Sequence, residues 1–390
     1  MDRKLRLGMV GGGRGAFIGG VHRIAAAIDQ QIELVCGAFH VDPDISIASG
    51  KDFHLDPNRV YRTYHEMFEK ESQLPEDQRM DLVSIVTPNH VHYEPTKLAL
   101  QNGFHVVCEK PLSFSLDEAY ELEKLVEEKG LFFALAHVYT GYPMVKQARD
   151  MVSNGEFGEI RKIVVEYPQG WLATKVEDSG SQQASWRTDP KRSGIAGAIG
   201  DIGTHAENLA EFITGLKITE LCADLTTFVP GRLLDDDGNV LLRFDNGAKG
   251  VLHCSQISAG EENELNIRVY GEKGGLEWHQ HEPNTLIVKR LNGPSEIYRT
   301  GANHTYLTES ALAHSRTPGG HPEGYLESFA NIYRNIASCI KAKANGEEPT
   351  SINLDFPTVS DGVRGMEFIK TVVESSKSDE KWYKFAGWKA

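Results

Sequence analysis

The stretch HVVCEKPLSFS, residues 105–115, sets a charged pair, Glu109-Lys110, at the mouth of an apolar run with Pro111 directly behind it. A lysine so placed either decorates the surface or is an amine held where a ligand reacts. A second apolar run ends in Thr87-Pro88-Asn89-His90-Val91-His92, another polar cluster at a strand end. Farther along, Gly200-Asp201-Ile202-Gly203-Thr204-His205 places an acid and an imidazole four positions apart. On one continuous helix that spacing puts Asp201 and His205 on the same face. Alternatively, Thr204 as N-cap with Glu207 at N3 makes a capping box and leaves Asp201 in the preceding loop. Gly203 slightly favours the second version, because glycine costs a helix interior about 1 kcal/mol. The pair can decorate a helix, combine a carboxylate with a titrating imidazole, or ligate a metal. A metal is disfavoured, since no third ligand of matching spacing accompanies them.

A third feature is GMVGGGRGAFIGG, which follows the first apolar run. Gly11, Gly13 and Ala16 fit the pattern G-x-G-x-x-G/A of a dinucleotide-binding turn. Gly11 permits the tight turn, Gly13 lets backbone approach a pyrophosphate, and a small residue at Ala16 lets helix and sheet pack closely. Arg14 lies inside the turn and joins the cofactor-contacting candidates. The surplus Gly15, Gly19 and Gly20 imply a longer turn than the minimum. An acid at the end of the second strand would bond the ribose 2′-hydroxyl of NAD. That position holds Phe39-His40, the nearest acid is Asp42, and no arginine is adjacent in sequence. The expectation is NAD, with NADP possible.

These residues need a scaffold, and the first 140 residues supply its pattern. Apolar strands are predicted at 5–10, 32–39, 82–87, 104–108 and 131–136. Helices are predicted at 16–28, 46–53, 95–101 and 116–129. Alternation of this kind with nearly all-apolar strands means a parallel sheet covered on both faces. After residue 142 the pattern changes. A helix near 145–153 leads to a half-buried strand at 160–167, and a polar stretch at 177–200 feeds a helix reaching Thr214. Strand-like runs follow at 220–228, 240–244, 250–257, 265–270, 275–278 and 285–289, with Asp245-Asn246-Gly247 as a hairpin signal. A long loop at 301–324 and helices at 325–344 and 359–375 complete the reading. The expected fold is α/β, with a Rossmann doubly wound parallel sheet at 1–140. A substrate-binding and oligomerisation α+β domain with a large, mostly antiparallel open sheet is expected at 141–390.

The bulk composition narrows the classes. The formal charge of −14 argues against sequence-independent binding to nucleic acid or anionic membrane. Five cysteines form no CxxC pair, so reduced core thiols are expected. With neither a signal-length apolar segment at the N-terminus nor a run of spanning length, a cytoplasmic protein is expected.

The order and spacing of these motifs resemble the Gfo/Idh/MocA family of nicotinamide-dependent sugar and polyol oxidoreductases. The matching pieces are Gly11-Gly12-Gly13, Thr87-Pro88-Asn89 with His92, Glu109-Lys110-Pro111, Trp186-Arg187, and Asp201 to His205. The departures are the expanded glycine turn and His40 where an acid is common. The resemblance implies a cofactor contacted by the glycine turn and by His40, Asp42, Thr87, Pro88, Asn89, His92, Glu109, Lys110, Trp186 and Arg187. It also implies Lys110 and His205 around a reacting hydroxyl. His205 is then the general base, Lys110 stabilises alkoxide charge, and Asp201 orients His205 or bonds a neighbouring hydroxyl. Trp171 and His321 are added as substrate-wall candidates from polar loops. The implied activity is hydride transfer between nicotinamide and a secondary hydroxyl of a sugar, glycoside or polyol. Glycoside cleavage through transient oxidation and a non-catalytic cofactor-binding regulator are the alternatives. A homodimer or homotetramer is the implied assembly.

Overall fold

Near-continuous apolar runs can be buried on both faces, and they become the centre of the first sheet. β1 (Leu5–Gly11), β2 (Ile32–Ala38), β3 (Leu82–Val86), β4 (His105–Cys108) and β5 (Phe133–Leu135) are all parallel, in the order β2-β1-β3-β4-β5. Their connections carry α1 (Phe17–Ile28), α2 (Pro43–Asp52), α3 (Tyr64–Gln73), α4 (Tyr93–Gln101) and α5 (Leu116–Lys129). The strand order reverses between β1 and β3. In open α/β sheets the crevice outside the carboxyl ends at such a switch point is where ligands bind.

The computed structural model describes residues 2–387. The chain divides into two units, one running up to Val138 and taking in Tyr325–Val363, the other made of Tyr139–Gly324 and the residues from Arg364 onward. Residues 325–344, read with the second domain in the sequence, therefore belong with the first sheet.

The second unit contains α6 (Pro143–Ser153), β6 (Ile160–Pro168), α7 (Gln182–Arg187), α8 (Pro190–Ser193), α9 (Thr204–Thr214), β7 (Ile218–Thr226), β8 (Asp237–Phe244) and β9 (Lys249–Ser255). It continues with β10 (Asn266–Gly271), β11 (Gly274–His279), β12 (Thr285–Arg290), β13 (Ser295–Arg299) and α10 (Glu309–Ala313). The last elements of the chain are α11 (Tyr325–Ala344), α12 (Val359–Ser376) and β14 (Tyr383–Lys384). Nine strands form one sheet in the order β13-β12-β11-β10-β6-β9-β8-β7-β14, antiparallel except for the β6–β9 pair. Ile163, Val165, Ile267, Val269 and Trp278 are fully buried on the face that α6 and α9 cover. Gly247 ends the β8–β9 turn with φ of 89°, as the Asn-Gly signal predicts. Among the described residues no helix is long and apolar enough to cross a membrane.

Candidate cofactor site and active-site residues

The glycine turn leaves room for backbone only. A Cβ on Gly11 would lie 2.9 Å from Thr87 Cγ2, and one on Gly13 would lie 2.8 Å from the Phe39 carbonyl oxygen. Gly13 N donates to Phe39 O at 3.0 Å, and Arg14 N donates to Ser49 Oγ at 3.0 Å, so the turn is fastened to the end of β2 and to α2. The close approach of helix and turn is made by Gly19, whose Cβ would fall 2.3 Å from Gly12 Cα. The sequence reading placed that packing role at Ala16. Ala16 is instead the N-cap of α1, with no side-chain cap and no acid in the first turn. By contrast α2, α3 and α5 are capped by Asp42, Thr63 and Ser115. The first N–H groups of α1 are thus left without a side-chain acceptor, which fits the pyrophosphate of a dinucleotide.

Just past the end of β2, Asp42 caps α2: its Oδ1 accepts from Asp44 N at 2.9 Å and from Ile45 N at 3.4 Å. His40 Nδ1 accepts from Asp42 N at 2.9 Å. No arginine neighbours this strand end in sequence, but the fold brings one there. Arg14 Nε and Nη2 lie 2.6 and 2.8 Å from the two carboxylate oxygens of Asp52. That bond holds the Asp52 carboxyl below its ordinary value and Arg14 above its own. Arg23 braces the turn from behind, donating to Gly12 O at 2.6 Å with its guanidinium 3.8 Å from the Phe53 ring centre.

The Glu109-Lys110 pair rests on a buried polar chain. Glu109 Oε1 lies 2.8 Å from His22 Nε2, His22 Nδ1 lies 2.6 Å from Tyr333 OH, and that hydroxyl lies 2.6 Å from Ser84 Oγ. One direction satisfies every member: Ser84 donates to Tyr333, Tyr333 to His22, and the Nε2–H of His22 to Glu109. Lys110 N donates to Glu109 Oε2 at 3.1 Å. Burial works against charge on Glu109, but the His22 bond and the nearby Lys110 charge prevail and hold its carboxyl below the usual range. The Lys110–Pro111 bond is cis. His92 lies between the two strand ends, with its ring nitrogens 2.7 Å from Pro111 O and 2.8 Å from Thr87 O. Burial lowers its pKa. Asn89 is buried in the same turn, after Pro88. Neither His22 nor Tyr333 was anticipated, since only the fold brings them to Glu109.

In the second unit, residues Ile199–Gly203 form a π-helical turn that runs straight into α9. Gly203 keeps helical angles, φ −62° and ψ −34°, and Thr204 Oγ1 donates back to Gly200 O at 3.2 Å. The capping box is therefore not formed, and Asp201 and His205 share one continuous helical stretch. Asp235 holds its start, accepting from Gly197 N at 2.6 Å and Ile199 N at 2.8 Å. Asp201 Oδ2 accepts from Arg187 Nε at 3.0 Å and Gln256 Nε2 at 2.8 Å. The Arg187 guanidinium stands 4.2 Å from the Trp186 ring centre and 5.8 Å from that of Trp171. Trp171 Nε1 donates to Gln169 at 2.9 Å. Trp171, Trp186, Arg187 and Asp201 are thus gathered by the fold. His321 is exposed, and its Nδ1 lies 3.2 Å from the Pro318 carbonyl oxygen of its own loop. His205 is buried, edge-on to Tyr139 at 4.9 Å and 83° and tilted to Tyr167 at 6.2 Å. The Tyr139 and Tyr167 hydroxyls bond each other, and Tyr167 donates to Asn263 at 2.9 Å. Tyr139, Tyr167, Gln256 and Asn263 escaped the sequence reading, because each lies in a run whose pattern signals only strand or loop.

Residues 5–137 match the family model for an oxidoreductase family with an NAD-binding Rossmann fold, and residues 145–277 match the GFO/IDH/MocA C-terminal domain. An uncharacterised oxidoreductase of Bacillus subtilis is 35% identical over 99% of this chain and 98% of its own. The chain belongs to the Gfo/Idh/MocA family of oxidoreductases. The first unit of this Gfo/Idh/MocA protein is accordingly an NAD-binding Rossmann domain. An inositol dehydrogenase homologue from Azotobacter vinelandii, solved with NAD+, matches it with a TM-score of 0.93 at 34% identity, covering 99% of this chain and 98% of that one. A structure of such a homologue with NADH and myo-inositol gives 0.90 at 33%, again covering 99% and 98%. The levoglucosan dehydrogenase of Pseudarthrobacter phenanthrenivorans is 26% identical over 78% of this chain and 82% of its own.

Proposed function

We propose that this Gfo/Idh/MocA protein is an NAD-dependent dehydrogenase of a secondary hydroxyl on a sugar or polyol. The observation that carries the reading is Lys110 at the carboxyl end of β4, inside an NAD-binding domain, braced by the buried chain from Glu109 through His22 to Tyr333. Relatives named for inositol and levoglucosan support the substrate class. Bound NAD supplies the hydride acceptor. Lys110 donates a hydrogen bond to the carbinol oxygen and stabilises the alkoxide that develops there. His205 takes the hydroxyl proton, the general-base task for which imidazole is most often used. Asp201, held by Arg187 and Gln256, bonds an adjacent hydroxyl of the substrate. The Trp171 indole offers a flat apolar face to the C–H side of a sugar ring. The open face of the nine-stranded sheet suits assembly as a homodimer or homotetramer.

The test is a panel of sugars, glycosides and polyols with NAD and NADP in parallel, followed at 340 nm, with product NMR on any hit. Net NADH formation with a free sugar or polyol is the expected result. Lys110→Ala should lower turnover by about 100-fold or more while NAD still binds. Near-normal turnover of that variant would remove Lys110 from the chemistry.

A further inference from the structure

The adenosine end of the site contains two opposed charges that the dehydrogenase reading does not use. An open α/β dinucleotide fold reads the ribose at the end of β2, where an acid bonds the 2′-hydroxyl and an arginine accommodates a 2′-phosphate. The acid nearest that point in sequence, Asp42, already caps α2 through Oδ1. The bond from Gly13 N to Phe39 O brings the next residue, Arg14, to the same strand end. Arg14 then lies along α2: its backbone N–H bonds Ser49, and its side chain bonds Asp52, one turn farther on. The pair is bidentate, so it takes both Nε and Nη2 of the guanidinium and balances its charge. Both side chains remain about half exposed, at 55% and 45%. They are therefore open to a ligand rather than part of the core. Lys51 and His54 lie beside Asp52, and both act on it less than Arg14 does.

We infer that Asp52 sets the preference of this protein for NAD over NADP, by occupying the arginine that would otherwise receive a 2′-phosphate. A phosphate monoester brings a charge of about −1.5 to −2 and needs Arg14 for itself. To bind, it must displace the Asp52 carboxylate and then remain beside it, like charge against like. A 2′-hydroxyl faces neither cost, and it can donate to a carboxylate. The inference rests on NAD binding by the first unit and is independent of which alcohol is oxidised.

The experiment measures dissociation constants of NAD+ and NADP+ by calorimetry, in phosphate-free buffer, on the full chain. The proteins are wild type, Asp52→Asn, Asp52→Ala and the double variant Asp52→Ala with Arg14→Gln. Because Asp52 is an exposed helix-end residue, its variants should keep the fold, and circular dichroism checks this. Wild type should bind NAD+ the more tightly. Both single variants should tighten NADP+ by about 10-fold, with NAD+ changing by less than about 3-fold, and the double variant should lose the gain. The inference is overturned if NADP+ binding stays within about 3-fold of wild type, if both cofactors tighten equally, or if the double variant keeps the gain. Binding is read without turnover, so a failed substrate panel leaves this outcome intact.

Discussion

Two imidazoles of the first unit show how burial sets charge at single residues. His105 is pushed down to about 4, by burial first and the Lys343 charge second, and its Nδ1 accepts the Phe132 N–H at 2.9 Å. His137 is pushed down to about 3, again by burial first and then by Lys110. In the unfolded chain both titrate near 6.5. Between that value and their folded values the unfolded state binds protons that the native state refuses, so stability falls as pH is lowered. The contribution is fully present above about 6.5 and shrinks by at most about 1.4 kcal/mol per pH unit for each group. Denaturant midpoints at pH 7 and pH 5 should therefore differ clearly. His105→Gln keeps an acceptor for Phe132 but does not titrate, and it should narrow that difference. An unchanged gap between the two midpoints would clear His105 of the effect.

Among the elements, the π-helical turn before α9 has the most to lose. Its first N–H groups depend on Asp235, a carboxylate whose own pKa is raised by burial despite the two backbone donors. Asp235→Asn can accept at only one atom, so one donor is left unsatisfied at a cost of about 1–3 kcal/mol. A lower thermal midpoint and reduced turnover should both follow; unchanged values would show that the turn holds its shape unaided. For α1, Gly19→Ala should weaken NAD binding by about 10-fold or more in calorimetry, because the new methyl meets backbone that cannot step aside. The elements bearing these sites were legible because apolar strands and helix-period runs keep their patterns in any context. Other elements left no such trace, among them α7 and α8 in the polar stretch, α10 in the long loop, β14, and most plainly α3 and β13. α3 has only Met67 and Phe68 as buried apolar residues, and its third buried position is Glu71, which pairs with Arg59 and Tyr61. β13 alternates between exposed and half-buried positions at the sheet edge and has no buried residue. The partners of Glu109 and Arg14 were hidden for a different reason. His22, Tyr333 and Asp52 become neighbours only through tertiary folding, and no local periodicity encodes that.

At the scale of the whole molecule, the Rossmann unit is assembled from two separated segments of chain. α1 packs against α11, with His22 edge-on to Phe329 at 4.9 Å and bonded to Tyr333. The main chain closes the same union, since Leu135 N donates to Pro357 O at 2.8 Å. Residues 1–138 alone should therefore lack a cooperative thermal transition. Joining Val138 to Tyr325 through a short Gly/Ser linker, with the chain stopped at Val363, should restore both the transition and NAD binding, read by circular dichroism and calorimetry. If residues 1–138 melt cooperatively by themselves, α11 is not needed for the unit to stand.

That discontinuity also sets a schedule for biosynthesis. A ribosome releases α1 with the apolar surface around Val21, Ala25 and Ala26 ready for a partner. It must then translate roughly 300 further residues before the covering helix emerges, a delay on the order of 15–60 s at ordinary elongation rates. Throughout that interval the nascent chain presents a sticky patch and an imidazole that still lacks Tyr333, which makes early chaperone capture the natural safeguard for this polypeptide.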